Sequence, residues 1–146
     1  YKLQIMKINL TKSTIFFFLF IFNDLLADNN YFAQGIDLFQ SKKFDNAKIK
    51  FEQDIVFNPK NEMSYLYLAK IFQKKDEIKQ EKKNLNTVLL LNPENEEAVY
   101  FLAILNIKES NFKRSEELIE NLGKVCKEFC SKKAELTEKL NNLLKQ

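Results

Sequence analysis

The sequence predicts an all-α fold that is built from a repeated unit, and composition and spacing support this prediction. The 146 residues include only two glycines and two prolines, too few for the many turns of an all-β fold. A hydrophobic content of 45% with 29% charged residues is typical of a folded domain. Asn-Pro, a charged residue and Asn recur at Pro59 and Pro93. This recurrence indicates a repeat whose period is the interval between the two prolines.

Aligning the two prolines divides the chain into blocks 28–61, 62–95 and 96–129, which agree at the positions that pack helices together. Large apolar residues recur with helical spacing, and a small residue at position 8 lets two helices approach closely. The residues at position 8 are Gly35, Ala69 and Ala103, those at position 20 are Ala47, Glu81 and Ser115, and those at position 24 are Phe51, Leu85 and Ile119.

This pattern resembles the tetratricopeptide repeat, in which a pair of antiparallel helices recurs about every 34 residues. The best match is "KKFDNAKIKFEQDIVFNP", residues 42–59, and the resemblance covers residues 28–129. It implies an all-α, right-handed α-solenoid of antiparallel helix pairs, with one repeat in each block. The alternative is an unrelated helical bundle whose periodicity arises by chance.

Several residues depart from the repeat pattern. Glu81 stands where a small residue is expected, Asp54 stands where Ala is usual, and Gln34 and Asn106 occupy positions that are normally apolar. We expect local looseness or polar contacts satisfied by water at these positions, within an unchanged fold.

Residues 1–27 are predicted to be an N-terminal extension and a secretory signal peptide, with Met6 as the expected start. Lysines at 7 and 12 precede the apolar run 15–22, and cleavage is expected after Ala27. That run is far shorter than the roughly 20 residues of a membrane-spanning helix. The alternatives are a buried N-terminal helix of the fold and an uncleaved membrane anchor. A signal peptide predicts an exported protein of the periplasm or cell envelope, whereas an anchor predicts attachment to the membrane.

Residues 130–146 are predicted to form a capping helix after the last repeat, as repeat arrays require a terminal element with a polar outer side. Its apolar face is formed by Leu136, Leu140, Leu143 and Leu144. Cys126 and Cys130 precede it, and in an exported chain they predict a disulfide. Free thiols and a redox or metal-binding role are the alternatives.

We assign no residues of the sequence to catalysis, to a cofactor or to a metal site. It has no His, the commonest general base and a common metal ligand, and only two glycines, so it has no phosphate-binding loop. The residues after 27 carry nearly balanced charges, which argues against a nucleic-acid partner. We therefore predict a protein that is not an enzyme.

The resemblance implies that positions 2, 5, 9, 12 and 13 of each block line a concave groove that holds a partner segment. The groove residues are then Asn29, Phe32, Ile36, Phe39 and Gln40 in the first block; Met63, Leu66, Lys70, Gln73 and Lys74 in the second; and Glu97, Tyr100, Ile104, Ile107 and Lys108 in the third. The groove is expected to be apolar at one end and basic and polar further along. Phe32 and Ile36 replace the Lys and Asn of the family's carboxylate clamp, so we argue against that subclass.

These observations predict a non-enzymatic protein–protein interaction module that binds a peptide or helix in the groove, as an adaptor or assembly factor of the envelope. The alternative is a structural, self-associating module whose groove is filled by its own N-terminal segment or by a second protomer, and in the second case a homo-oligomer is expected. A thiol-redox enzyme that uses Cys126 and Cys130 is a third hypothesis. Contact with a membrane is expected only through an uncleaved N-terminal segment.

Overall fold

The computed structural model describes residues 30–145, and every regular element in this range is an α-helix. The seven helices are α1 (Tyr31–Gln40), α2 (Phe44–Phe57), α3 (Glu62–Lys74), α4 (Ile78–Leu91), α5 (Glu96–Lys108), α6 (Phe112–Val125) and α7 (Cys130–Leu144). Each helix packs against the next one along the chain, and α5 also contacts α7. Connections this short make successive helices antiparallel, so the described residues form three helix pairs and a final single helix.

The first helix of each pair ends in the same backbone motif. Lys42, Asp76 and Ser110 occupy the same position in successive repeats, and their φ angles of 59°, 58° and 57° are left-handed. The N–H of each bonds to the carbonyl three residues earlier, and the N–H of the next residue bonds to the carbonyl five residues before it. This pair of bonds is the Schellman motif, which usually carries Gly at the left-handed position. The turn is therefore repeated in the backbone although its residue types differ.

The repeated Asn-Pro segments end one helix pair and begin the next. The N–H groups of Asn58 and Asn92 bond to the carbonyls four residues earlier, which closes α2 and α4. Three residues later, the side chain of Asn61 accepts a bond from the N–H of Met63, and that of Asn95 accepts one from Ala98. These asparagines are the N-caps of α3 and α5, which explains their recurrence in the sequence.

Packing between the two helices of the first pair depends on a glycine opposite a large aromatic ring. A Cβ atom placed on Gly35 would lie 2.6 Å from Cε1 of Phe51, which is fully buried. In the second and third pairs Ala occupies the same position, and the residues at the position of Phe51 are the smaller Leu85 and Ile119. The small residue at position 8 is thus matched to the size of the residue at position 24.

The core of the described chain has two parts. The first is rich in aromatic residues and lies among α1, α2 and α3, with Phe51, Ile71 and Phe72 buried at its centre. The second is mainly aliphatic and extends from α3 to α7, with Leu85, Leu102 and further residues of these helices.

Two of the buried polar residues that depart from the repeat have protein partners. The carboxylate of Asp54 accepts hydrogen bonds from Asn58, from Asn61 at 2.7 Å and from Ser64 at 2.5 Å. Glu81 is only 3% exposed and accepts a bond from Gln73 at 3.2 Å. Side chains of the protein therefore satisfy these carboxylates, in place of the expected looseness or water.

The remaining two departures differ from each other. Gln34 lies on the surface, so it needs no partner in the core. Asn106 is buried and donates to the carbonyl of Leu102 at 2.8 Å, while its Oδ1 has no hydrogen-bond partner within residues 30–145.

A disulfide between Cys126 and Cys130 links the end of α6 to the start of α7, as the sequence predicts. The predicted apolar face of α7 is only half correct. Leu136 and Leu140 are buried, but Leu143 and Leu144, in the last turn of the helix, are 37% and 51% exposed.

The predictions for the signal peptide and for Asn29 fall on residues 1–29, outside the described part of the chain. Within residues 30–145, no helix combines the length and apolar character that crossing a bilayer requires.

Candidate partner-binding face

The first helices of the three pairs lie side by side, and side-chain contacts connect them. The ring of Phe32 on α1 lies 6.1 Å from that of Tyr67 on α3. Lys70 on α3 forms a 2.7 Å ion pair with Glu97 on α5. Tyr100 on α5 lies 5.5 Å from the ring of Phe129, which directly precedes α7. We call the surface formed by these helices the inner face.

The α1 end of the inner face is apolar. Phe32, Ile36 and Phe39 are half-buried, so each packs on the aromatic core and keeps part of its side chain accessible to solvent. Tyr67, which the sequence did not single out, holds this group together. Its ring lies 5.1 Å from those of both Phe39 and Phe51. We call Phe32, Ile36 and Phe39 the apolar strip.

The middle of the inner face is less basic than predicted. Lys70 is neutralised by its pairing with Glu97, and its ammonium group also lies 4.9 Å from the centre of the Tyr67 ring. Lys74 is exposed and lies over the ring of Phe44 at 5.3 Å. The two lysines therefore have partners in the protein, since such ring contacts are favourable for a cation.

Two of the predicted groove residues are not surface residues. Leu66 and Ile107 are 1% and 5% exposed and belong to the aliphatic core. Leu66 contributes only to the inside of the cavity described below, and Ile107 offers no accessible surface to a partner. The other predicted residues retain access to solvent, either half-buried (Met63, Gln73, Glu97, Tyr100 and Ile104) or exposed (Gln40 and Lys108).

At the α7 end, the inner face contains a cavity of about 250 Å³, which we call the loop pocket. Helices α3 and α5 form one side, and the loop between α6 and α7 forms the other. Its lining residues are Met63, Leu66, Glu94, Asn95, Glu96, Glu97, Val125, Lys127, Glu128 and Phe129.

Glu96 fixes the loop that forms the wall of this pocket. Its carboxylate accepts hydrogen bonds from the backbone N–H groups of Lys127 at 2.6 Å, Glu128 at 3.1 Å and Phe129 at 3.1 Å. Desolvation pushes the pKa of Glu96 upward, but these three donors outweigh it, and the net shift is downward. The ionised side chain therefore anchors the loop, whose two ends the disulfide joins.

Neither the sequence prediction nor a simple motif identifies this anchor. The bonds from Glu96 run to backbone groups in a distant loop of the chain, which have no side-chain signature. One signal was present: the preceding block also opens with a glutamate, Glu62, whose carboxylate accepts a bond from Asn92 across the same kind of connection.

The inner face combines apolar and charged side chains. The titratable groups on it lie in ion pairs, hydrogen bonds and ring contacts or at the surface. Within residues 30–145 there is no cluster of His, Cys, Asp or Glu that could hold a metal ion. What the face offers chemically is half-exposed apolar surface with a charged margin.

No protein-family model and no curated protein sequence matches this chain. Solved structures do match its fold. The type III secretion translocator chaperone SycD of Yersinia enterocolitica is 11% identical, with a TM-score of 0.73 over 80% of this chain and 84% of that one. The same chaperone in complex with a peptide of the translocator YopD is 12% identical, with a TM-score of 0.69 over 80% and 92%.

A third match is the TPR2B domain of yeast Sti1 in its Hsp70 complex, 15% identical with a TM-score of 0.69 over 77% of this chain and 94% of that one. At these identities the similarity is one of fold. The described residues have the fold of a tetratricopeptide-repeat solenoid, and the prediction of an all-α solenoid of helix pairs is confirmed.

Proposed function

We propose that this tetratricopeptide-repeat solenoid binds a peptide or helix of another protein on its inner face and catalyses no reaction. The observation that carries the proposal is the apolar strip. Phe32, Ile36 and Phe39 remain partly accessible side by side on the inner face. Contiguous apolar surface of this kind marks an interaction site more often than a free surface.

The solved structures with this fold support the proposal. SycD was solved in complex with a peptide of YopD, and the TPR2B domain of Sti1 was solved as a pHsp70 complex. The strip argues for a partner segment with apolar side chains, because an apolar surface gains little from a charged terminus. An amphipathic helix or an extended apolar segment fits this requirement.

The role of an adaptor or assembly factor in the cell envelope is the finer part of the proposal. It depends on the order of basic, apolar and polar residues in 1–27, which is that of a signal peptide. Identifying the N-terminal residue of the protein purified from its native cells tests this part. A terminus at residue 28 is expected, and a terminus upstream of the apolar run would contradict export with cleavage.

Self-association is the second candidate, because the same accessible apolar strip could be covered by another copy or by the chain's own N-terminal segment. Sedimentation at several concentrations separates partner binding from the association of two copies. A monomer that exposes the strip favours partner binding, and a concentration-dependent dimer favours self-association.

Capture of partners by a variant of the inner face tests the main proposal. Ile36→Lys/Ile104→Lys places lysine at position 9 of the first and third repeats. The second repeat already carries Lys70 there, so the fold accommodates this residue. Ile49→Lys is the matched control, because Ile49 lies on α2, outside the inner face, and is 52% exposed.

We expect wild type and the Ile49 variant to capture the same proteins from an extract of the native cells, identified by mass spectrometry, and the double variant to lose them. Circular dichroism must show equal helix content in all three proteins. Retention of the captured proteins by a folded double variant would contradict binding at the inner face.

A further inference from the structure

We propose that the loop pocket receives one apolar side chain of the partner, and that a lysine or arginine of the partner lies next to it. This inference rests on the proposed function and specifies the chemistry of the partner at the α7 end of the inner face.

The size and lining of the pocket fit a single side chain. Its volume of about 250 Å³ is below the roughly 300–1,000 Å³ typical of small-molecule sites. Met63 and Leu66 line it on the helical side, and Val125 and Phe129 line it on the loop side. These four apolar residues would bury an aliphatic or aromatic anchor, the kind of residue that dominates the energy of most interfaces.

The loop side of the pocket is fixed before any partner arrives. The disulfide joins Cys126 to Cys130, Glu96 accepts three backbone N–H bonds from the residues between them, and Phe129 packs on Tyr100. A wall that is already ordered loses little entropy on binding, and this favours affinity.

The charges around the opening of the loop pocket favour a partner with a cationic residue next to its apolar anchor. Four glutamates and one lysine belong to the lining. Glu97 is paired with Lys70, and Glu96 is bonded to the loop. The carboxylates of Glu94 and Glu128 are exposed and make no hydrogen bond or ion pair in the described part of the chain. A cationic side chain beside the anchor would complement them, whereas an acidic one would be repelled.

Three short peptides of equal length test the pairing of anchor and charge. The first carries one leucine flanked by lysines, the second the same leucine flanked by glutamates, and the third a serine flanked by lysines. Each is titrated at low salt into the full chain, with its disulfide intact and labelled for NMR, and the amide signals of Met63 and Phe129 are followed.

We expect the leucine–lysine peptide to bind about fivefold tighter than the leucine–glutamate peptide, the order that two exposed ion pairs allow. The serine peptide should produce little shift at Met63. The Glu94→Lys/Glu128→Lys variant should reverse the preference for charge, and these exposed positions leave the fold unchanged.

An equal affinity for lysine and glutamate flanks, or a preference that the variant does not reverse, would overturn the charge rule. Shifts that avoid Met63 and Phe129, or no binding by any of the peptides, would overturn the pocket as an anchor site. None of these results bears on partner capture through Ile36 and Ile104, which the capture experiment tests. A failure of the pocket proposal can therefore be told apart from a failure of the proposed function.

Discussion

The first and second helix pairs share a backbone plan but fill their interiors in different ways. In the first pair Gly35 faces the large ring of Phe51, and Ala47 completes an apolar interface. The second pair has Ala69 and Leu85 at the corresponding positions, and a buried Glu81 in place of Ala47. The repeat therefore fixes the path of the helices. The side chains packed between the helices differ in size and polarity from one pair to the next.

The junctions that follow the two pairs differ in the same manner. Asp54 and Ser64 form a buried hydrogen bond where the first pair meets the second. Their counterparts in the next repeat are Val88 and Ala98, both fully buried. The buried contact at this position is thus polar at the first junction and apolar at the second.

Converting the first junction into the second should have the largest effect on stability. Asp54→Val removes the acceptor of three side-chain donors, and we expect a loss of roughly 2–3 kcal/mol in the free energy of unfolding. Asp54→Val/Ser64→Ala copies the apolar junction and should recover part of this loss. Urea unfolding followed by circular dichroism measures both. A double variant less stable than the single one would show that the two junctions are not interchangeable.

Changing the sizes of the two residues that face each other in the first pair should have a smaller effect on stability. Gly35→Ala places a methyl group against Phe51, and overpacking of this kind costs about 1–3 kcal/mol, offset in part by the better helix propensity of Ala. Gly35→Ala/Phe51→Leu reproduces the second pair. A double-mutant cycle in urea should therefore show favourable coupling between the two changes. Additive effects would contradict the match between positions 8 and 24.

The smallest effect is expected at Glu81 and should depend on pH. Desolvation raises the pKa of Glu81, against the opposing influence of Lys108 and Gln73. Because the pKa of Glu81 is raised in the folded state, the contribution of this residue to stability is most favourable below the ordinary Glu pKa of about 4.3. That contribution falls as the pH rises through the pKa of Glu81 in the folded protein. Glu81→Gln should therefore stabilise the protein at pH 7 and have little effect near pH 4. If urea unfolding gave an equal change in the free energy of unfolding at pH 7 and near pH 4, this explanation would be wrong.

The sequence predicted the features of the fold that depend on shared residue types. The recurring Asn-Pro segments and the small residues at position 8 indicated the repeat, whereas the caps made by Asn61 and Asn95 and the match of Gly35 to Phe51 were seen only in the structure. The left-handed turns did not follow, because Lys42, Asp76 and Ser110 share no chemistry. That turn is imposed by its two backbone hydrogen bonds and by the packing of the helices on both sides.

The candidate site was predicted in outline but not in burial. Position in the repeat identified the apolar strip, but it also selected Leu66 and Ile107, which the aliphatic core covers. The loop pocket was missed because it depends on bonds from Glu96 to backbone groups of a distant loop. Burial and hydrogen bonds donated by backbone N–H groups are properties of the folded chain and have no side-chain signature in the sequence.

Side-chain footprinting of the protein with its captured partner tests the central claim most directly. Labelling by a reactive carbene, read by mass spectrometry, compares apolar residues of the inner face with exposed apolar residues of α2 and α4. We predict that the partner protects Ile36, Met63 and Ile104 and leaves Ile49 and Leu90 labelled as in the free protein. Protection of Ile49 and Leu90 with unchanged labelling of Ile36, Met63 and Ile104 would contradict binding at the inner face.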